Sequence, residues 1–341
     1  MHLQILQTYG ILTMNQSSIR HTTLCGFFRR KENLMNMTTW LGEWLECTVK
    51  PTAKERTYTR YHEIVAQHLI PAFGSLELSE LTQAALQKFT SDLSAHGNLR
   101  DGKGLSPNSV NSILAVMQNA MKTAYQMGYI PTYTADRVRR PRMEEKKIAC
   151  FTATEQKKLE QASLTDRRIK MRGIVLCLYT GLRIGELLAL EWSDIDFEKG
   201  ELTVSKSCHD SKKDGHYDRR IEPPKTKHSN RVIPLPKQLM PILREMKQKN
   251  PTGYVVGGEK IIPVRSYQAS FALLLKKQNL PHRGFHALRH TFATRALECG
   301  MDVKTLSELL GHKNPTVTLN RYVHSLMPHK HEMMNRLGKL L

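Results

Sequence analysis

The sequence predicts a mainly α protein with a small antiparallel β-meander, an α+β chain of two domains. Three observations carry that expectation. Apolar residues recur at three- and four-residue spacing in most segments from Thr38 onward, whereas one stretch, Glu201 to Leu235, holds runs that alternate with period two. A charged, proline-containing run from Arg137 to Lys147 has little to bury and separates the two halves. A length of 341 residues is ample for two independent cores.

Residues 1–36 show no clean period and are expected to form a poorly defined extension, with Met14, Met35 and Met37 as alternative starts. The first domain is placed at 37–138. Thr38 or Thr39 is expected to cap a helix holding Trp40, Leu41, Trp44 and Leu45, and Thr52 a second holding Tyr58, Tyr61, Ile64, Val65 and Leu69 before Pro71. Leu76 to His96 supplies a third helix, and Gly97 to Gly104 a polar turn. Ser106 and Pro107 open a fourth helix with Val110, Ile113, Leu114, Met117 and Met121 on one side. Four such helices make a small bundle. Lys50, Lys54, Arg56, Arg60 and Lys88 give it a basic surface, and the linker, 139–151, adds Arg139, Arg140 and Arg142.

The second domain is placed at 152–326. It opens on the capping box T-A-T-E, with Glu155 three residues after Thr152. Arg172 to Tyr179 is nearly all apolar and reads as a core helix. It delivers the chain to a tight turn at Gly181 and to Arg183 at a new helix start, where an anion would meet free backbone N–H groups. Glu186, one turn on, shares the face of Arg183 and is expected to brace it. Glu201 to Ser207, Arg219 to Pro223 and Arg231 to Leu235 read as the strands of the meander, with the turn-rich stretch His209 to His216 after the first. The second turn, Pro224 to Asn230, carries Lys225 and Lys227. Helices around Pro236 to Gln248 and Arg265 to Asn279 read as scaffold.

From His286 the pattern becomes polar and apolar by turns. His286 and Arg289 lie three residues apart and share a helix face, while Leu288, Phe292 and Ala296 repeat at four and point into a core. Gly300 ends that helix. Asp302 opens a second segment, with Val303, Leu306, Leu309 and Leu310, that ends at Gly311 and presents His312 just beyond. Tyr322 follows. In the tail, 327–341, Met333, Met334, Leu337, Leu340 and Leu341 fall at helical spacing.

The charge narrows the partners. Lys and Arg number 51 against 31 Asp and Glu, a formal excess of +20, which implies a polyanion. A membrane surface is the competing polyanion, but no segment offers the roughly 18 uninterrupted apolar residues of a span and no lipidation motif is present, so nucleic acid is favoured. The six cysteines, at 25, 47, 150, 177, 208 and 299, lack C-x-x-C or zinc spacing and read as reduced thiols of a cytoplasmic protein. The first residues lack the basic start and cleavage site of a secretory signal.

An arginine, two histidines and a tyrosine can bind an anion, move protons and supply an oxygen nucleophile, which together suit attack on a phosphate diester. Taken singly, each is an ordinary surface or core residue. Grouped, they resemble a known family. The H-x-x-R of His286 and Arg289, the L-G-H of Leu310 to His312, Tyr322, and the upstream T-G-L-R-I-G-E-L of Thr180 to Leu187 are similar to the motifs of the tyrosine recombinases, or phage integrases. The resemblance covers Phe151 to His324 by motif and extends more weakly back to Thr38.

The resemblance implies a site-specific DNA recombinase that integrates or excises a mobile element. Its catalytic set would be Arg183, Lys225, His286, Arg289, His312 and Tyr322, with Glu186 in support. Lys225 matches the family's lysine in the β-hairpin, and Lys227 remains its rival as the general acid. The helical domain would clamp the DNA face opposite the catalytic one, with Lys54, Arg56, Arg60, Arg139, Arg140 and Arg142 as candidate DNA contacts. Some members carry a β-rich arm-binding domain at the N-terminus, a pattern absent from residues 1–36.

Neither metal, ATP nor any other cofactor is expected. The expected partners are duplex attachment sites, further copies of the chain forming a tetramer at synapsis, and an accessory directionality factor, with the protein at the nucleoid. The tail either packs on its own domain or passes to a neighbouring protomer. A type IB topoisomerase that reseals the same strand, a non-catalytic DNA-binding regulator, and a metal-dependent nuclease are the rival activities.

Whichever activity holds, the +20 charge makes one demand. Affinity for duplex DNA should fall steeply as salt rises, because each phosphate neutralised releases condensed counterions. A titration whose affinity barely changes with salt would contradict the nucleic-acid assignment.

Overall fold

The computed structural model describes residues 35–133, 135–143, 149–213, 216–222, 230–312, 314–322, 334–335 and 337–338. The chain divides into two units, Met1–Met143 and Glu144–Leu341. Both are built mainly of helices, and the second carries a small antiparallel sheet.

Two prolines shape the first unit. Helix α1 (Met37–Glu43) runs through a wide π turn, Trp44–Val49, into α2 (Lys50–Thr52), and α3 (Glu55–Ile64) runs through a second, Val65–Leu69, into α4 (Ile70–Phe73). Each wide turn stands just before a proline, Pro51 or Pro71. A proline ring collides with the carbonyl four residues back and offers no N–H, so widening the preceding turn lets the helix continue. Lys50 N–H accordingly reaches Leu45 O, and Ile70 N–H reaches Val65 O.

The expected stop before Pro71 is therefore corrected to Phe73. The caps differ as well. Asn36 rather than Thr38 or Thr39 accepts from Thr39 N–H at 2.9 Å, and Thr52 closes the first helix, its hydroxyl donating back to Thr48 O at 2.7 Å. The third helix, α5 (Gln83–His96), begins at the Thr82 cap, later than Leu76, because a 3-10 turn, Leu78–Glu80, with its own capping box intervenes. Ser106 caps α6 (Pro107–Gln126) as expected. Trp44, Leu41, Leu69, Leu86, Leu114 and Met117 fill the core, with the Trp44 ring stacked on Tyr61 at 5.9 Å.

The second unit begins with α7 (Ala153–Thr165), where Thr152 and Glu155 form the expected reciprocal cap. Helix α8 (Gly173–Thr180) is buried almost throughout. It ends at Gly181, whose φ of +66° only glycine adopts without strain and where a Cβ would sit 2.5 Å from the Phe292 ring. Helix α9 (Ile184–Ala189) follows at once.

The sheet departs from the expected meander. Strands β1 (Ile195–Asp196), β2 (Glu201–Val204) and β5 (Arg231–Pro234) form one antiparallel sheet in the order β1-β2-β5, with Leu202 opposite Ile233. Strands β3 (Ser207–Lys213) and β4 (His216–Glu222) form a separate hairpin. The stretch from His209, expected as turn, is thus largely strand. A two-stranded ribbon needs no continuous apolar face, so hydrophobic alternation misses it; the Asp214-Gly215 pair between the strands was the available signal. Those two residues, and the 223–229 connection to β5 that holds Lys225 and Lys227, lie outside the described residues.

Helices α10 (Leu239–Lys249) and α11 (Val264–Lys277) complete the scaffold, and α12 (His286–Glu298) packs on α8. Asp302 caps α13 (Val303–Leu310) by accepting from Thr305 N–H at 2.9 Å, and Gly311, at φ +64°, ends it. Helix α14 (Pro315–Tyr322) closes the described core. Of the tail, Met334 and Leu337 are helical and exposed, at 64% and 47%, while Met333, Leu340 and Leu341 lie outside the described residues. No helix among the described residues is long and apolar enough to cross a membrane.

One buried ion cluster joins these elements. Glu186 of α9 accepts from Arg231 of β5 at 3.2 Å and 2.8 Å, one bond on each carboxylate oxygen, and from the Arg183 guanidinium at 2.7 Å. The side chains of Arg231 and Glu186 are only 5% and 6% exposed. Burial alone would raise the Glu186 pKa, but its hydrogen bonds and charge pairing with Arg231, together with the nearby Arg183, overcome that and hold it at about 2, against an ordinary 4.5.

The sign of the pH effect follows. A carboxylate whose folded pKa is depressed contributes stability above its unfolded pKa and loses it as pH falls through the folded one. The shift from 4.5 to about 2 corresponds to roughly 3 kcal/mol. In urea unfolding of the full chain, the stability gap between wild type and Glu186→Gln should be flat above about pH 5 and narrow steadily below pH 4.5. A gap of constant size down to about pH 2.5 would show that the Glu186 charge contributes nothing specific.

Candidate active site

Arg289 is a guanidinium with 1% exposure, and a charge so deep must be satisfied on all sides. Its Nη1 donates to Gly181 O at 2.9 Å, and its Nη2 donates to Leu310 O at 2.6 Å. Both acceptors close helices, α8 and α13, where unpaired carbonyls concentrate partial negative charge. The two left-handed glycines, Gly181 and Gly311, end those helices abruptly and leave the carbonyls open to the arginine. Leu288, Ala293 and Leu297 on the same helix are buried, so packing fixes the direction in which Arg289 projects.

His312, just past Gly311, lies 2.9 Å from Arg289 through Nε2 and 2.7 Å from Thr318 Oγ1 through Nδ1. A guanidinium only donates. Nε2 therefore accepts, Nδ1 carries the proton toward Thr318, and the ring is neutral in this arrangement. Thr318 is fully buried on α14, four residues before Tyr322, so the two share a helix face. Thus the histidine ties the helix bearing Tyr322 to the buried arginine.

Arg183 is linked to this group through Glu186, which Arg231 also binds. It follows the Gly181 carbonyl bonded to Arg289 by two residues, and its side chain keeps 36% exposure although Glu186 holds it. Its backbone N–H is donated to Glu186 Oε2 at 2.9 Å, so of the backbone N–H groups expected to meet an anion at this helix start, that of Arg183 is already engaged. Arg183, Arg231 and Arg289 set against Glu186 leave an excess of positive charge, which favours an anionic ligand.

The other sequence-predicted residues are placed less closely. His286 is the first residue of α12, exposed, one turn from Arg289, with its ring edge-on to His290 at 4.6 Å. Tyr322 is the last residue of α14, and its side chain lies outside the described residues, as does Lys225. In the first unit, Lys54 and Arg56 are exposed, and Arg60 donates to Ser112 Oγ at 2.8 Å. Arg139 exchanges backbone hydrogen bonds with the Gln87 side chain, Arg140 pairs with Gln118, and Arg142 is exposed.

Sequence reasoning missed Arg231 and Thr318. The helical spacing of Thr318 from Tyr322 was a usable signal. Arg231 offered none, since its carboxylate partner is 45 residues away.

The model of the phage integrase family matches residues 141–329, more than half the chain, and that of the phage integrase N-terminal SAM-like domain matches residues 37–94. A XerC-like tyrosine recombinase of Caldanaerobacter subterraneus is 30% identical, over 89% of this chain and 82% of its own length. The ICEBs1 integrase of Bacillus subtilis is 27% identical, over 92% and 85%. Among solved structures, the Tn1549 transposon integrase in complex with transposon right end DNA superimposes with a TM-score of 0.74 over 89% of this chain and all of that one, at 23% identity. A lambda integrase tetramer bound to a Holliday junction gives 0.62 over 83% and 79%, at 21% identity. At those identities the likeness establishes the fold. With the family model spanning most of the second unit and a relative matched along most of both chains, this chain belongs to the phage integrase family of tyrosine recombinases and is a site-specific DNA recombinase.

Proposed function

We propose that the chain cuts and rejoins DNA through a 3′-phosphotyrosyl bond formed by Tyr322, with Arg183, Lys225, His286, Arg289 and His312 as the remaining catalytic groups and Glu186 in support. The observation that carries this reading is Arg289, buried, bridging two helix ends and bonded to His312, with the accessible Arg183 held by Glu186 two residues past the Gly181 carbonyl that takes Arg289. A diester resists attack because its nonbridging oxygens repel a nucleophile and the 5′ oxygen leaves poorly. Two guanidiniums offer paired donors to those oxygens as charge grows in the transition state, and their geometry is set in advance.

In the proposed step, the Tyr322 oxygen attacks phosphorus, its proton passes to His286, and the bond to the 5′ oxygen breaks as Lys225 protonates it. A phosphate arriving at Arg289 replaces His312 Nε2 as the acceptor of its N–H. His312 then needs a proton on Nε2 to donate to the phosphate in turn. The phosphotyrosyl bond conserves the energy of the diester, so a 5′-hydroxyl from a second strand reverses the step without ATP or metal. Tyr267 is a poor competitor for the attack: burial raises its phenol well above the usual range, and its hydroxyl donates to Lys170 O at 2.7 Å.

The reading extends to partners. The relatives named above include integrases of an integrative element and a transposon, and one relative in structure is a tetramer on a Holliday junction. They support a chain that moves a mobile element and assembles as a tetramer on paired attachment sites; an accessory directionality factor and a place at the nucleoid belong to the proposal alone. Lys54, Arg56, Arg60, Arg139, Arg140 and Arg142 would contact phosphates, and the exposed Met334 and Leu337 suit a tail passed to a neighbouring protomer.

Tyr322→Phe should bind DNA as wild type does and form no covalent adduct on a nicked duplex, and the wild-type adduct should form in excess chelator. An adduct with the Phe variant would transfer the role of nucleophile to another residue, and loss in chelator would restore a metal to the mechanism. Lys225→Ala should recover on a 5′-thio leaving group, which needs no acid, and Lys227→Ala should need no recovery. The reverse pattern would make Lys227 the acid.

A further inference from the structure

Arg231 lies outside the family motifs that identify the catalytic set, yet it makes more directed contacts than a strand arginine needs for solubility. Its Nε donates to Leu309 O at 2.6 Å, and its Nη1 and Nη2 donate to the two oxygens of Glu186 at 3.2 Å and 2.8 Å. The two ends of that fork lead to different parts of the anion site. Glu186 holds both the backbone and the guanidinium of Arg183. Leu309 O is adjacent to Leu310 O, which takes Arg289, and His312 follows three residues after Leu309.

We propose that Arg231 is a positioning residue for strand cleavage, holding Arg183 through Glu186 and the Arg289–His312 pair through the Leu309 carbonyl in one rigid frame. This rests on the proposed phosphotyrosyl reaction and adds a group that never touches the phosphate.

Arg183 is the accessible arginine, on a side chain with four rotatable bonds, and left alone it would sample many rotamers. Glu186 limits that sampling only while its own carboxylate is fixed, and two bonds from a planar, buried guanidinium fix it in both position and plane. Helix α13 ends at Gly311, just before His312, and the Arg231 bond pins a carbonyl of that last turn.

The test uses the full chain and a nicked duplex selected from a random library for covalent capture by the wild-type protein. For Arg231→Met, affinity should stay within about 2-fold while the single-turnover rate of adduct formation in the bound complex falls on the order of 10²-fold, since sub-ångström misplacement acts on the transition state rather than on binding. A general loss of folding would lower the fraction bound and leave the rate of bound molecules unchanged.

A second substrate separates positioning from damage. A methylphosphonate at the scissile position removes one nonbridging charge that the arginines must neutralise, so the defect of Arg231→Met should shrink there, in parallel with that of Arg183→Lys. An equal defect on both substrates overturns the proposal, as does a wild-type cleavage rate in the bound variant. Where the Met variant does not fold, Arg231→Lys decides: its ammonium keeps the charge but cannot span both Glu186 oxygens and Leu309 O, so it should cleave more slowly at unchanged affinity. Wild-type cleavage by it overturns the proposal as well. Tyr322→Phe run alongside keeps the two ideas distinct, because an adduct there defeats the phosphotyrosyl assignment while the Arg231 rates are still read.

Discussion

A cation buried between two helix ends holds this catalytic unit together. Arg289 sits where α8 and α13 expose carbonyls to each other, and it satisfies both with one planar group. Such an arrangement is demanding, since a guanidinium without those acceptors would lose far more in desolvation than packing returns. It is also directional. The two carbonyls consume one edge of the fork and leave the group facing His312, so the condition for burying the charge also aims it.

A second arginine repeats the arrangement nearby. Arg231 meets the carbonyl next to the one that Arg289 meets, and binds Glu186 with the rest of its fork. The last turn of α13 is therefore held by two guanidiniums from different elements, α12 and β5. Lysine could not serve in either place, because a single ammonium cannot present a flat array of donors to acceptors on opposite sides. Among the described residues, Glu186 is a carboxylate bonded within this group. It offsets enough charge for the fold to tolerate three arginines while leaving an excess that an entering phosphate would neutralise.

What was legible in the sequence follows the range of the forces involved. Caps and helix ends are local, so Thr152 with Glu155, Asp302, Gly181 and Gly311 were readable from a few residues each. The bracing of Arg183 by Glu186, one turn away, was equally readable. Pro71 misled because a proline usually ends a helix, and only the wide turn before it shows how the chain continued. The β3-β4 ribbon misled because polar strands paired two by two leave no apolar alternation to detect. Arg231 was invisible for a different reason: its partners, Glu186 and Leu309, are brought to it only by the finished fold, across 45 and 78 residues.

That distribution bears on how the site works. Residues that meet the phosphate in the proposed reaction fall in short motifs, since helix periodicity and a glycine stop suffice to present them. The residues that hold those groups still are spread along the chain. Thr318 joins His312 to α14 from one side, and Arg231 joins Glu186 to α13 from the other. A shift of α14 would reach His312 through the Thr318 bond, then Arg289 through the 2.9 Å contact, without any movement of the helical cores. Helix α14 ends at Tyr322, so whatever repositions that helix would alter the proposed nucleophile and the proposed anion site together. Coupling of this kind suits a reaction in which one strand must be cut only when its partner is ready. It needs nothing beyond a histidine placed between a buried cation and the helix that bears the tyrosine.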